Sequence, residues 1–269
     1  MDVQSLLKKE NIIPDPLNDQ FFLTDDISIK KLIDLADLRD KDVVLEIGTG
    51  IGNITRELAK KSGKVIAFEI DERFKPLLTD LPKNVDLRFE DAWEYVKLHG
   101  KSFKKREYNK VVANIPYSFA EKFLHNLTFL IYDKVILVLP QSLVKKIEVN
   151  PIFGSFFKVE EKLKIDKNKF YPVPRTNSVI INLIKLPDAI ATKNLSLFLR
   201  QHLYQYEYVK TKNSLREGLI KYTWLTKSKR LTKKEAKKIL EKSGIDKNLL
   251  EKKPDNPEIY QETEKLELN

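Results

Sequence analysis

Val43-Val44-Leu45-Glu46-Ile47 reads as a buried strand. It runs without a break into Gly48-Thr49-Gly50-Ile51-Gly52, and Asn53 to Leu58 then opens a helix. No other stretch restricts the fold as much. A strand that turns tightly into a helix belongs to a crossover unit, whose helix packs back on a parallel sheet. Glycines in that turn let a ligand approach both the backbone and the helix N-terminus.

The turn also narrows the ligand. A dinucleotide fingerprint wants glycines at its first, third and sixth positions. Here they fall at the first, third and fifth, and Asn53 stands at the sixth. Glu46, two residues before the first glycine, would repel a pyrophosphate but suits an amino group. The pattern leans from a nicotinamide dinucleotide towards S-adenosylmethionine, which has an amino-acid tail and no phosphates.

Further strands follow at crossover spacing: 64–71, 85–89, 111–113 and 134–139, then a late pair at 156–165 and 178–184. Glu69 lies at the carboxyl end of the first of these, in a place to accept from ribose hydroxyls. Asp91 follows the next, where it would accept from an adenine amine or cap a helix. Strand–helix alternation with a late strand pair describes an α/β fold. It is a doubly wound, mostly parallel Rossmann-like sheet with an antiparallel edge.

One strand end stands out, Val111-Val112-Ala113-Asn114-Ile115-Pro116-Tyr117. Pro116 fixes its own φ and holds Ile115 extended, so the corner is stiff. Open α/β sheets bind ligands at such strand ends. The Asn114 side-chain carbonyl, the Ile115 main-chain carbonyl and the Tyr117 ring would meet there. Two acceptors and a flat face suit an exocyclic amine on a planar ring, as in adenine. A plain strand end with a proline turn and a core tyrosine is the alternative. Phe170-Tyr171-Pro172-Val173-Pro174-Arg175, between the last two strands, reads as an extended loop able to supply a second aromatic face.

Charge sets the C-terminal part apart. The formal net charge is +10, yet residues 190–253 alone hold 17 Lys/Arg against 6 Asp/Glu. That concentration fits a phosphate-backbone partner, and a solvated Lys/Glu surface is the competing explanation. Helical patterns cover 195–208, 211–222 and 232–243, the last with Thr232 and Glu235 in a capping box. The expected divisions are an arm at 1–24, a sheet domain at 25–187 and a basic helical domain at 188–269. There is no cysteine, so thiolate metal sites and disulfides are excluded and a reducing, cytoplasmic setting is expected. His99, His125 and His202 show no ligand spacing, no metal is expected, and no stretch reaches the apolar length of a membrane span.

The ordered set of motifs resembles the ribosomal RNA adenine dimethyltransferases. They are Gln20-Phe21-Phe22-Leu23, Glu46 to Gly52, Glu69-Ile70-Asp71, Asp91-Ala92, Asn114 to Tyr117, Phe170 to Ser178, and the basic Lys212 to Arg216. The proline-rich arm and basic tail look more like the rRNA-maturation branch in its archaeal form than the antibiotic-resistance branch. Four departures flank the target pocket: Asp19 where the family usually has glycine, Ser118-Phe119-Ala120-Glu121 after the corner, Pro140 to Lys146 after the following strand, and an abbreviated region near Phe153-Gly154-Ser155.

The resemblance implies S-adenosylmethionine as cofactor, held by Gln20, Leu23, Glu46, Gly48, Gly50, Gly52, Glu69, Ile70, Asp91 and Asn114. It implies a catalytic corner of Asn114, Ile115, Pro116 and Tyr117, with Phe170 as the second stacking ring. Arg175, Arg200, Lys210, Lys212, Arg216, Lys229 and Arg230 would grip RNA. The implied activity is N6 methylation of two adjacent adenosines in small-subunit rRNA, on an immature subunit, by a monomer. Three readings remain open beside it: a non-catalytic assembly protein on the same fold, a large-subunit rRNA methyltransferase, and a nicotinamide oxidoreductase.

Overall fold

The computed structural model describes residues 3–101, 107–128, 132–227 and 230–268, without the side chains of 98–101. The chain begins with α1 (Val3–Lys9), passes Pro14 and Pro16, and forms the two-residue strand β1 (Phe22–Leu23). Asp25 then caps α2 (Asp26–Ala36) by accepting from the Ser28 N–H.

Crossover units follow in the expected order. They are β2 (Val43–Ile47), α3 (Asn53–Lys61), β3 (Lys64–Glu69), a 3-10 segment Glu72–Leu78, β4 (Val85–Phe89) and α4 (Ala92–Lys101). Next come β5 (Lys110–Asn114), α5 (Tyr117–Leu127), β6 (Lys134–Pro140), α6 (Gln141–Glu148), β7 (Phe157–Ile165), β8 (Phe170–Tyr171) and β9 (Ser178–Lys185).

Seven strands share one sheet in the order β4-β3-β2-β5-β6-β9-β7. β2 through β6 pair in parallel, and β9 joins β6 antiparallel. β3 and β4 build outward on one side of β2, and β5 and β6 on the other. The order therefore reverses between β2 and β5, and a crevice opens beyond their carboxyl ends. Apolar residues of β2, β3, β5 and β6 (Val44, Val65, Val112, Ile136) pack with Ile29, Leu32 and Ile33 of α2 and Ile54 and Leu58 of α3.

The arm is part of this body rather than a loose extension. Val3, Leu7, Ile12 and Phe22 are buried in a second cluster with Ile51, Phe74, Leu77 and Leu78. Sequence reading leaves 170–177 wholly as loop, but β8 pairs with β1 (Phe22 opposite Tyr171, Leu23 opposite Phe170). Two-residue strands give no periodic signal, so this pairing is invisible before the chain is folded.

The chain divides into two compact units, residues 1–146 with 159–184, and residues 147–158 with 185–269. The second holds α7 (Leu195–Gln205), α8 (Thr211–Lys227), α9 (Lys233–Lys242), α10 (Lys247–Glu251) and α11 (Glu258–Glu262) around Leu199, Leu203, Leu215, Leu219, Ile259 and Tyr260. Residues 147–158 join it because of their aromatic content. Phe156 packs edge-on against Tyr204 at 5.1 Å, and Gln201 Nε2 donates to the Ser155 carbonyl. The capping box on α9 is present as read, with Thr232 Oγ1 accepting from Glu235 N. No helix among the described residues is long and apolar enough to cross a membrane.

Candidate active site

Gly48, Gly50 and Gly52 all adopt positive φ, at 81°, 55° and 76°, a region that glycine enters at no steric cost. Gly48 also brings the turn against the neighbouring strand end, since a Cβ there would stand 3.2 Å from Pro116 Cδ. The turn after β2 and the corner after β5 thus meet at the sheet's switch point. Between them lies a cleft of about 590 Å³. Gln20, Leu23, Gly48, Gly50, Glu69, Ile70, Asp91, Asn114 and Pro116 all line it. Sequence reasoning gathers these residues from five separate segments.

Asn114 ends β5, and its Nδ2 donates to the Phe21 carbonyl at 2.9 Å. That bond orients the planar amide, so Oδ1 faces the other way as an acceptor. Ile115 is buried, leaving its main chain to serve the corner. Tyr117 begins α5, its ring stacks on Phe21 (centroids 6.1 Å, planes at 23°), and its hydroxyl lies 3.3 Å from Ser178 Oγ. Burial raises the Tyr117 pKa, so the phenol keeps its proton.

Several expectations are corrected here. Phe170, read as the second stacking ring, is only 3% exposed and packs in the core with Leu23 and Ile180. The β1–β8 pairing draws it inward, and Phe21 faces Tyr117 instead. Two rings 6.1 Å apart leave no room for a third between them, because two van der Waals layers need ~7 Å. A base can reach this face of Tyr117 only when Phe21 moves. Gly52 does not line the cleft and instead precedes α3 as its N-cap. Glu46 does not line it either, being 1% exposed on β2.

The acids of the site differ in state. Glu46 Oε2 has no hydrogen-bond partner, and burial, with Glu69 adding repulsion, pushes the carboxyl up to about 8. Glu69 accepts from Gly50 N through Oε2 (2.6 Å) and from Asp71 N through Oε1 (2.8 Å), yet burial still raises its pKa. Asp71 is lowered by Arg73, whose guanidinium donates to both of its oxygens. Asp91 Oδ1 caps α4 by accepting from Trp93 N. It is therefore both cleft wall and helix cap, and Ile70 stands 70% exposed at the rim.

The arm is fastened to this site by hydrogen bonds that no local sequence pattern signals. Gln20 Nε2 donates to Asp71 Oδ2, Asn53 Nδ2 donates to the Leu23 carbonyl, and Asp19 Oδ2 accepts from Ser118 N at 2.8 Å. Asp19 sits at φ 56°, where glycine would be unstrained. The departure after the corner now has a physical account. Ser118 receives Asp19, Phe119 lines the cleft and packs edge-on against Trp93, Ala120 is buried, and Glu121 pairs with Lys146.

The basic candidates are unevenly free. Arg200 is tied to Glu264 and Ser196, and Lys210 and Lys212 share Glu251. Arg216 leans on Glu217 at 3.1 Å. Arg175 and Arg230 are exposed, with no ion pair among the described residues, and Lys229 lies outside those residues.

The family model described as "Ribosomal RNA adenine dimethylase" matches residues 18–261. A ribosomal RNA small subunit methyltransferase A from Thermotoga neapolitana is 30% identical, over 93% of this chain and 98% of that one. A probable ribosomal RNA small subunit methyltransferase A from Methanosarcina barkeri is 29% identical, over 84% and 79%. Among solved structures, a dimethyladenosine transferase from Plasmodium falciparum shares the fold with a TM-score of 0.57 at 21% identity, covering 90% of this chain and 95% of that one.

Proposed function

The chain belongs to the ribosomal RNA adenine dimethylase family, and on that premise we propose that it methylates N6 of two adjacent adenosines in small-subunit rRNA, with S-adenosylmethionine as donor. The observation that carries the reading is the meeting of Asn114 with the glycine turn across one cleft.

The residues present fit the cofactor. Glu69 lines the cleft, and behind it, outside the cleft wall, Glu46 keeps a buried oxygen without a partner and is raised further by Glu69. A cationic ligand relieves that pairing, whereas a pyrophosphate would worsen it. In this reading Gly48 and Gly50 admit the amino-acid end, Glu69 holds the ribose, Asp91 takes the adenine amine and Ile70 covers its ring. Gln20 and Leu23 close the arm over it. When bound, the cofactor supplies an electrophilic methyl group.

The target adenosine has to leave its stack to be reached. Asn114 Oδ1 and the Ile115 carbonyl then accept the two amine hydrogens, holding the nitrogen lone pair towards the donor and out of conjugation with the ring. The Tyr117 ring, freed of Phe21, stacks on the base at ~1–3 kcal/mol. No strong base is required, because the amine proton leaves after the methyl arrives. Catalysis is positioning and orientation, which fits a corner stiffened by Pro116.

Immature small subunits, incubated with radiolabelled S-adenosylmethionine and the protein, provide the test. N6-methylated adenosine in their rRNA, found by nuclease digestion and mass spectrometry, is the expected result. Cofactor binding without methylated product on any rRNA would leave an assembly protein as the better reading.

A further inference from the structure

The helical unit has a cavity of its own, of about 550 Å³, within the ~300–1,000 Å³ range of small-ligand sites. It lies between α7 and α8, and the proposed methyl transfer leaves it without a role. Ser214 lines it and is 2% exposed, yet Ser214 Oγ has no hydrogen-bond partner. An unpaired buried hydroxyl is costly and rare, and explaining it calls for a partner.

The other walls name the chemistry of that partner. The His202 imidazole is 5% exposed, stacked on Phe198 (5.9 Å, 16°) and tilted against Tyr206 (4.5 Å). Burial, with repulsion from Lys221, holds its pKa down at about 4, so at neutral pH it offers one donor and one acceptor nitrogen. Trp224 leaves 60% of its surface uncovered at the mouth. Lys221 and Arg230 complete the rim, neither in an ion pair among the described residues, while the acid beside them, Glu217, contacts Arg216.

Flat aromatic surface, neutral hydrogen-bonding groups at depth and free cations outside match one ligand class. We infer that this cavity takes a single unstacked nucleobase of RNA, with Trp224 as stacking platform, Ser214 and His202 reading its edge, and Lys221 and Arg230 on the flanking phosphates. The surrounding excess of 17 Lys/Arg over 6 Asp/Glu favours a polyanion over an apolar peptide side chain. The inference rests on the proposed function only for its RNA partner. It adds a recognition site separate from the one that would be methylated.

Trp224 is its own reporter. The chain holds two tryptophans, so Trp93→Phe leaves Trp224 alone, and the phenyl ring keeps an aromatic contact for Phe119. Hexaadenylate should quench Trp224 emission, and an abasic oligomer of equal charge should not. Trp224→Ala should weaken hexaadenylate binding by about fivefold to a hundredfold. The salt dependence should stay unchanged, since stacking releases no counterions. Ser214→Ala should also weaken binding while folding at least as stably as the parent, because it removes an unsatisfied group.

Equal quenching by both oligomers, unaltered affinity in Trp224→Ala, or quenching by an apolar peptide alone would overturn the inference. A protein that methylates rRNA while Trp224 stays silent loses this inference and keeps the proposed function. One that binds no RNA at all loses both.

Discussion

One strand carries a buried acid near each of its ends, and the two are treated in opposite ways. Asp42 lies just before β2, at the amino edge of the sheet, and Glu46 lies four residues on, at the carboxyl edge. Burial alone would raise the Asp42 carboxyl. Hydrogen bonds from Lys110 Nζ (2.8 Å), Asn109 Nδ2 (2.7 Å) and Arg39 N (2.8 Å) overcome it and hold the pKa at about 2. Glu46 is as deeply buried, but one of its oxygens has no partner and its pKa stands at about 8. The amino edge is closed by satisfied charge. The carboxyl edge is left wanting a cation, on the side where the crevice opens. Stability and ligand chemistry are thus divided between the two ends of a 5-residue strand.

Breaking the closed end should have the largest effect. Lys110→Met strands a buried carboxylate and should destabilise the fold by ~3–5 kcal/mol, read from the midpoint of urea unfolding. Adding Asp42→Asn should recover the part of that loss due to the orphaned charge, the remainder belonging to the Ala36 and Asp37 carbonyls that Lys110 Nζ also serves. A single variant that costs less than ~1 kcal/mol would erase the contrast.

At the open end the dominant loss should be in rate. Asn114→Ala removes one oriented acceptor and should lower methyl transfer ~10²–10³-fold, as loss of one preorganised hydrogen-bonding group does elsewhere. Its stability cost should stay near ~1 kcal/mol, the worth of the bond to the Phe21 carbonyl. Cofactor affinity by calorimetry should change little. A variant that loses cofactor and activity in equal measure would place Asn114 in binding instead.

The open end was also the more legible in sequence, because its chemistry is local. A strand, three glycines and an Asn-Ile-Pro-Tyr corner announce themselves within a few residues each. Crossover spacing gives parallel strands, while the reversal of strand order that brings these two turns together shows only in the fold. What could not be read are contacts that depend on the folded arm. Phe170 has the composition of an exposed stacking ring, and only its pairing with Leu23 across β8 and β1 takes it into the core. Phe21 gained its place beside Tyr117 by the same event. Lys110 and Asp42, 68 residues apart in sequence, give no hint of their pairing. Arg200, an expected RNA contact, is bound by Glu264 from 64 residues further along the chain.

The unpaired acid predicts a pH dependence with a definite sign. Folded, Glu46 keeps its proton up to about pH 8; unfolded, it ionises around its ordinary value of 4.5. Between those values the folded state binds more protons. Stability from this group is present below 4.5 and declines as pH rises towards 8. Glu46→Gln has no proton to lose and should flatten that decline, a difference of at most ~1.4 kcal/mol over one pH unit. Paired urea titrations at pH 6 and pH 7 read it. If both proteins fall equally, Glu46 has a counter-charge and the contrast with Asp42 fails.

The smallest effect is expected at Asp19, where two terms oppose each other. Its φ of 56° costs a non-glycine residue ~1–2 kcal/mol. Its carboxylate meets the Ser118 N–H in the first turn of α5, a contact of the kind worth ~0.5–2 kcal/mol. Asp19→Gly removes both and should leave stability within ~1 kcal/mol. Asp19→Ala loses the bond and keeps the strain, so it should be the less stable of the two. Both release the arm from the corner, so Phe21 should leave Tyr117 more readily and protection of the 15–23 amides from hydrogen exchange should fall. If the two variants are equally stable, the left-handed backbone at this position is relaxed rather than held.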